Sequence, residues 1–107
     1  MSKLCLIVAM CVAAVDCAWA QSIGSPSQGL RLAQTQCAEC HLVEKGPRLS
    51  PNPAAPTFED IANIQGMTST ALTAALRTSH ETMPNVIIKG TDIADVVAYI
   101  LSLREKN

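Results

Sequence analysis

Hydrophobic positions change their spacing several times along this chain, and each change marks a boundary. Leu4 to Val15 is a nearly continuous apolar run, preceded by Lys3 and broken by Asp16. A membrane-spanning helix needs roughly 20 apolar residues, so this run is too short to cross a bilayer. Ala18-Trp19-Ala20 then offers small residues at both positions that a signal peptidase reads. Together these features predict a secretory signal over residues 1–20, cleaved after Ala20, and one domain over residues 21–107. An uncleaved anchor is the competing reading. A lipid anchor is disfavoured, because neither Met10-Cys11 nor Asp16-Cys17 resembles a lipoprotein cleavage site.

Beyond residue 24 the apolar spacing turns helical. Ser25-Pro26-Ser27-Gln28 is a helix start, with Ser25 as cap, Pro26 at the first position and Gln28 placed to close a capping box. Leu30, Ala33 and Cys37 share one face of that helix, which is expected to end near Cys40-His41, before Gly46-Pro47. Thr57 predicts a second helix through Phe58, Ile61, Ala62 and Ile64, closed by Gly66. Thr68 predicts a third, carrying Leu72, Ala75 and Leu76. Residues 78–90 read as irregular, since Pro84 prevents a continuous helix. Thr91 or Asp92 would cap the last helix, whose Ile93, Val96, Val97, Ile100 and Leu101 follow the spacing of a buried stripe. Val86-Ile87-Ile88 is the one strand-like run and is too isolated to build a sheet. The fold class is therefore all-α: four short helices joined by long loops. Loops of that length are uncommon in a small domain unless they serve a function, such as wrapping a ligand.

Composition sharpens this picture at two points. Removing residues 1–20 from the 107 leaves 87, and takes Cys5, Cys11, Cys17 and Trp19 away. Only Cys37 and Cys40 then remain as cysteines, and only Phe58 and Tyr99 as large aromatics. A domain so small, with so thin a core, usually needs a metal, a disulfide or another staple. Charge is uninformative: seven basic and eight acidic side chains remain, a net of −1, with no basic run for nucleic acid.

Cys37-Ala38-Glu39-Cys40-His41 supplies the missing staple. Two cysteines three apart on a helical turn lie on one side, so both thiols can bond the two vinyl groups of one haem. His41, the next residue, is then held where its imidazole can meet the iron. C-x-x-C-H is a specific haem-attachment unit, and an exported chain suits attachment outside the cytoplasm. Three other readings compete. A thioredoxin-type disulfide lacks its βαβ surroundings. A zinc site with His41 and His80 lacks the second ligand pair. Plain buried thiols are unusual in an oxidising compartment.

A haem held by one histidine has a second axial position, and Met67, His80 and Met83 are the candidates. Met83 lies in His80-Glu81-Thr82-Met83-Pro84, where Pro84 stiffens a non-helical backbone and aims the thioether. Met67 begins a helix, where a methionine ordinarily fills a core gap. Met83 is the expected distal ligand, and thioether ligation would raise the potential relative to a second imidazole.

With these residues in place, the chain from residue 21 resembles a class I c-type cytochrome, the small soluble bacterial kind, along nearly its whole length. Gly29, eight residues before Cys37, resembles the family's helix-crossing glycine. Ala33 stands where the family usually has an aromatic, four before the first cysteine. Val96-Val97-Ala98-Tyr99-Ile100 resembles the C-terminal helix, whose tyrosine packs near the haem and the first helix. Ser79 to Asn85 resembles the segment carrying the distal methionine. Pro51-Asn52-Pro53-Ala54-Ala55-Pro56-Thr57-Phe58 resembles the proline-rich proximal loop. The resemblance implies that a backbone carbonyl of this loop accepts the Nδ1–H of His41, with Pro53 the first candidate and Pro51 the second.

The resemblance implies one covalent haem c bound through Cys37 and Cys40, ligated by His41 and Met83, in a periplasmic monomeric one-electron carrier. Its partners would be a redox donor and a redox acceptor, with no nucleic acid and no stable membrane anchor. The residues support this independently, because both axial positions have protein ligands and the chain is too short for a separate catalytic centre. The alternative is a haem peroxidase or gas sensor with a displaceable distal ligand. A third reading makes the chain a dedicated subunit of a larger periplasmic redox enzyme.

Overall fold

Ser25 opens the first helix, α1 (Pro26–Gln36), as its sequence predicts: its hydroxyl accepts the Gln28 N–H at 3.4 Å. The computed structural model describes residues 24–79 and 82–106, so the signal segment and His80 lie outside the described residues. The return bond expected from the Gln28 side chain is replaced by another. The Ser25 N–H donates to Asp95 Oδ1 at 2.7 Å instead, on the last helix. A carboxylate is the stronger acceptor, so the helix start is tied to a distant element.

α1 ends earlier than its apolar spacing suggests. The regular helix stops at Gln36 with Cys37 as its cap, and residues 37–40 form turns rather than a continuation to Cys40-His41. Ala38 N–H reaches back to the Ala33 carbonyl and His41 N–H to the Cys37 carbonyl. The chain therefore keeps a helical sense locally while leaving regular register.

The next two helices start where their threonines predict. Thr57 Oγ1 accepts the Asp60 N–H at 3.0 Å to open α2 (Phe58–Asn63). Thr68 Oγ1 accepts the Ala71 N–H at 3.1 Å to open α3 (Ser69–Arg77). Gly66, with φ +79°, does not close α2, which ends at Ile64; it turns the chain toward α3. α4 (Gly90–Ser102) begins before Thr91 and Asp92, with Lys89 at the cap position and no side-chain cap bond. Asp92 falls in the first turn instead, where its charge still complements the helix dipole.

α4 is the spine of the domain. Its Ile93, Val96, Val97, Tyr99 and Ile100 are all buried, and α1, α2 and α3 each pack on it. Each fully buried branched side chain contributes roughly 1.5–3 kcal/mol. The α1–α4 crossing depends on Gly29: a Cβ there would overlap the Asp95 carbonyl oxygen and meet Tyr99 Cβ at 2.7 Å. Mid-helix glycine costs about 1 kcal/mol in propensity, and the close crossing is what it allows. Gly24, unremarked in the sequence, is excluded from carrying a side chain in the same way by the Ala94 carbonyl.

The chain's end is tied back over α2. Arg104 donates from Nε to the Ala62 carbonyl at 3.1 Å and from a terminal nitrogen to the Met67 carbonyl at 2.6 Å. The domain is all-helical, with no strand and no membrane-length apolar helix among the described residues.

Candidate cofactor site

Cys37, Cys40 and His41 leave the end of α1 facing a cavity of about 410 Å³. Phe58 and Ile61 of α2, Leu72 and Leu76 of α3 and Ile100 of α4 make its apolar walls. Thr82, Met83, Pro84 and Val86 line it from the irregular segment. Cofactor sites commonly occupy about 300–1,000 Å³ with mostly apolar walls and few polar groups. Of the expected site residues, Cys37, Cys40, His41 and Met83 all line this one cavity. Met67 does not; it packs against the core, where a gap-filling methionine belongs.

His41 is held by the backbone around it. Its Nδ1 lies 2.6 Å from the carbonyl oxygen of Pro56. A carbonyl only accepts, so Nδ1 carries a proton and Nε2 is the ring nitrogen left to meet a metal. The expectation that Pro53 or Pro51 supplies this carbonyl is corrected here. Asn52-Pro53-Ala54-Ala55 is a β-turn closed by Ala55 N–H to the Asn52 carbonyl at 3.0 Å, and Pro53 sits at its corner. The chain then returns alongside residues 40–42. Asn52 N–H donates to the Cys40 carbonyl at 3.1 Å, and Phe58 N–H to the Leu42 carbonyl at 2.9 Å. Pro56 lies between those two anchors, and His41 lies between their partners.

Phe58, which the resemblance puts at the end of the proximal loop, is buried, and its ring centroid lies 5.5 Å from that of His41. Tyr99 continues the series at 6.4 Å from Phe58, both within the range where tilted rings attract. The signal available was scarcity: these are the last two aromatic rings outside the signal segment. Tyr99 also donates to the Val43 carbonyl at 2.6 Å, fixing the segment just after His41.

Burial pushes the Cys37 thiol above its ordinary range. A redox-active dithiol needs the reverse, a lowered thiol that ionises at neutral pH. Among the described residues, no three His, Cys, Asp or Glu side chains converge as a structural zinc site requires. Two thiols and an imidazole with Nε2 available, on one apolar cavity, fit haem attachment better than either alternative.

Residues 27–104 match the cytochrome c family. The chain is 32% identical over 101 residues to cytochrome c-552 of Bradyrhizobium diazoefficiens, covering 94% of this chain and 92% of that one. No solved structure matches it significantly. The chain belongs to the cytochrome c family, as a small class I c-type cytochrome of the bacterial kind. Membership carries with it a covalently bound haem c and supports an electron carrier with redox partners.

Proposed function

We propose that this chain is a periplasmic one-electron carrier whose haem is attached through Cys37 and Cys40 and ligated by His41 and Met83. When bound, the haem supplies the Fe(III)/Fe(II) couple, and the protein's part is to hold and tune it. The observation that carries the reading is one cavity lined jointly by both cysteines, the tautomerically fixed His41 and Met83. Cys37 and Cys40 would fix the ring to the end of α1. His41, oriented by Pro56, would present Nε2, and Met83 would offer a thioether from the irregular segment. Phe58, Ile61, Leu72 and Ile100 would exclude water, which limits reorganisation around a changing charge. With two protein ligands, substrate has no open position, so the chain is a carrier rather than an enzyme. The secretory signal predicted over residues 1–20 supports a periplasmic location, and the 21–107 domain is the part that would act there.

Visible spectra of the exported holoprotein test this reading. A c-type α-band in the reduced form is expected, with a weak red iron–thioether band in the oxidised form. Carbon monoxide should not bind the reduced protein at neutral pH. Ready carbon monoxide binding would favour the peroxidase or sensor reading instead.

A further inference from the structure

The proline-rich loop contains one polar side chain that the haem reading does not use. Asn52 stands between Pro51 and Pro53 on the cavity lining, and three of its hydrogen-bonding groups bond backbone. Its side-chain Oδ1 accepts the Ala54 N–H at 2.9 Å, its carbonyl accepts the Ala55 N–H at 3.0 Å, and its own N–H donates to the Cys40 carbonyl at 3.1 Å. The first two bonds close a tight turn, for which asparagine followed by proline is well suited: the amide can mimic a backbone acceptor, and proline presets the next φ. The third pins that turn to the second cysteine of the attachment motif. Two residues beyond Ala54 the chain places the Pro56 carbonyl on His41 Nδ1 at 2.6 Å.

We infer that Asn52 is a positioning residue for the proximal ligand: its turn sets where the Pro56 carbonyl lies, and thereby how strongly His41 is polarised. The inference rests on His41 being an iron ligand. An Nδ1–H held by a good acceptor makes the imidazole more basic and favours Fe(III). Without its side-chain acceptor at residue 52, the turn keeps only the Ala55 N–H to residue 52 carbonyl bond to close it. The Pro56 carbonyl then drifts, the His41 hydrogen bond lengthens and the reduced state gains. Pro51, Pro53 and Pro56 have no N–H to give, so residues 51–56 hold only three backbone donors, those of Asn52, Ala54 and Ala55. Each of the three makes a bond that Asn52 donates or accepts.

The test uses the holoprotein, three substitutions of Asn52 and one of His41. Asn52→Ala should move the one-electron reduction equilibrium about threefold toward the reduced state, which is about 28 mV at 59 mV per tenfold change. The NMR signal of the His41 Nδ1–H should move as well, and the Asn52 and Phe58 amides should exchange faster. Asn52→Asp keeps the acceptor and adds a negative charge, so its potential should lie at or below that of the wild type. Asn52→Ser, with a shorter acceptor, should fall between wild type and Asn52→Ala, and it keeps the comparison alive if the alanine variant does not fold. Faster amide exchange with an unmoved potential and an unmoved His41 signal would reduce Asn52 to a structural turn residue and overturn the inference. His41→Ala, measured beside these, separates the two levels of the argument. If it keeps the wild-type spectrum, the ligand reading fails and takes this inference with it. If it loses that spectrum while Asn52→Ala leaves the potential alone, only the role of Asn52 falls.

Discussion

The two sides of the cavity are built differently. On the His41 side, residues 40–58 are stitched to one another. Asn52 binds Cys40, Phe58 binds Leu42, Ser50 accepts the Leu42 N–H at 3.0 Å, and Pro56 accepts from His41. Glu59 adds its Oε2 to the Gly46 N–H and an ion pair to Lys45 at 3.5 Å. Phe58 is buried at the centre of this side. On the Met83 side, Thr82, Pro84, Asn85, Ile87 and Lys89 are exposed, and Ile87 is 95% so. Among the described residues of this segment only Met83, Val86 and Ile88 are partly buried, and Ile88 packs on the core. The contrast is one of fastening: backbone bonds tie the histidine side together, while the iron bond proposed for Met83 would add a fastening to the methionine side.

The sharpest way to break this comparison is to remove the shared anchor. Cys37→Ser with Cys40→Ser should abolish haem staining of a denaturing gel, which the wild type should retain. A stained double mutant would overturn covalent attachment at these residues. Next in size is the Met83 side itself. Met83→Ala should erase the red iron–thioether band and open the reduced iron to carbon monoxide. It should also lower the reduction equilibrium by more than tenfold, about 59 mV for one electron. His80→Ala should leave all three nearly unchanged. The reverse pattern would mean bis-histidine ligation and a low-potential carrier. Stability should fall in Met83→Ala as well, because an iron bond closes a long loop.

Away from the cavity, the α1–α4 crossing offers a smaller effect. Gly29→Ala gains helix propensity, worth about 1 kcal/mol, but forces a methyl onto the Asp95 carbonyl and Tyr99 Cβ. Backbone cannot yield as a flexible side chain can, and overpacking of this kind costs about 1–3 kcal/mol. A net loss of up to about 2 kcal/mol in denaturant unfolding is expected. A stabilised Gly29→Ala variant would show that the crossing has slack.

Much of this was legible in the sequence, and the reasons differ by element. Ser25, Thr57 and Thr68 act as helix caps because capping is local: a side-chain oxygen and an N–H three residues on are enough. The attachment motif was legible for the same reason. What failed was whatever depends on distant backbone. The Ser25 N–H finds Asp95, seventy residues away, rather than Gln28. α4 starts before its threonine, with exposed Lys89 at the cap position and no side-chain cap bond. The resemblance located the proximal loop, but which of its three prolines faces His41 depends on the path of a turn at Asn52 that spacing alone does not reveal. The ring contact of Phe58 with His41 and the clamp made by Arg104 were invisible, since a ring or a guanidinium carries no spacing signature for its tertiary partner.

The smallest predicted effect tests how the stitched side is fastened to the spine. Tyr99, buried on α4, donates its phenol hydrogen to the Val43 carbonyl, two residues past His41. That bond exists only while the phenol is protonated. Burial, and then the nearby Glu44 carboxylate, push the Tyr99 phenol above its ordinary value of about 10. The folded state thus favours the protonated form more than the unfolded chain does. Its contribution is fully present below about pH 10 and is lost as pH rises through the higher folded value. Tyr99→Phe keeps the ring beside Phe58 and removes only the hydroxyl. It should cost about 1 kcal/mol at neutral pH, since a buried carbonyl loses its donor. Above about pH 10 the gap between wild type and variant should close, because the wild type loses the same bond to ionisation. Denaturant midpoints of both proteins across that range measure the difference and cancel alkaline changes common to the two. A gap that stays constant through the alkaline limb would mean that the phenol's hydrogen bond does not fasten the histidine side, and that ring packing alone does.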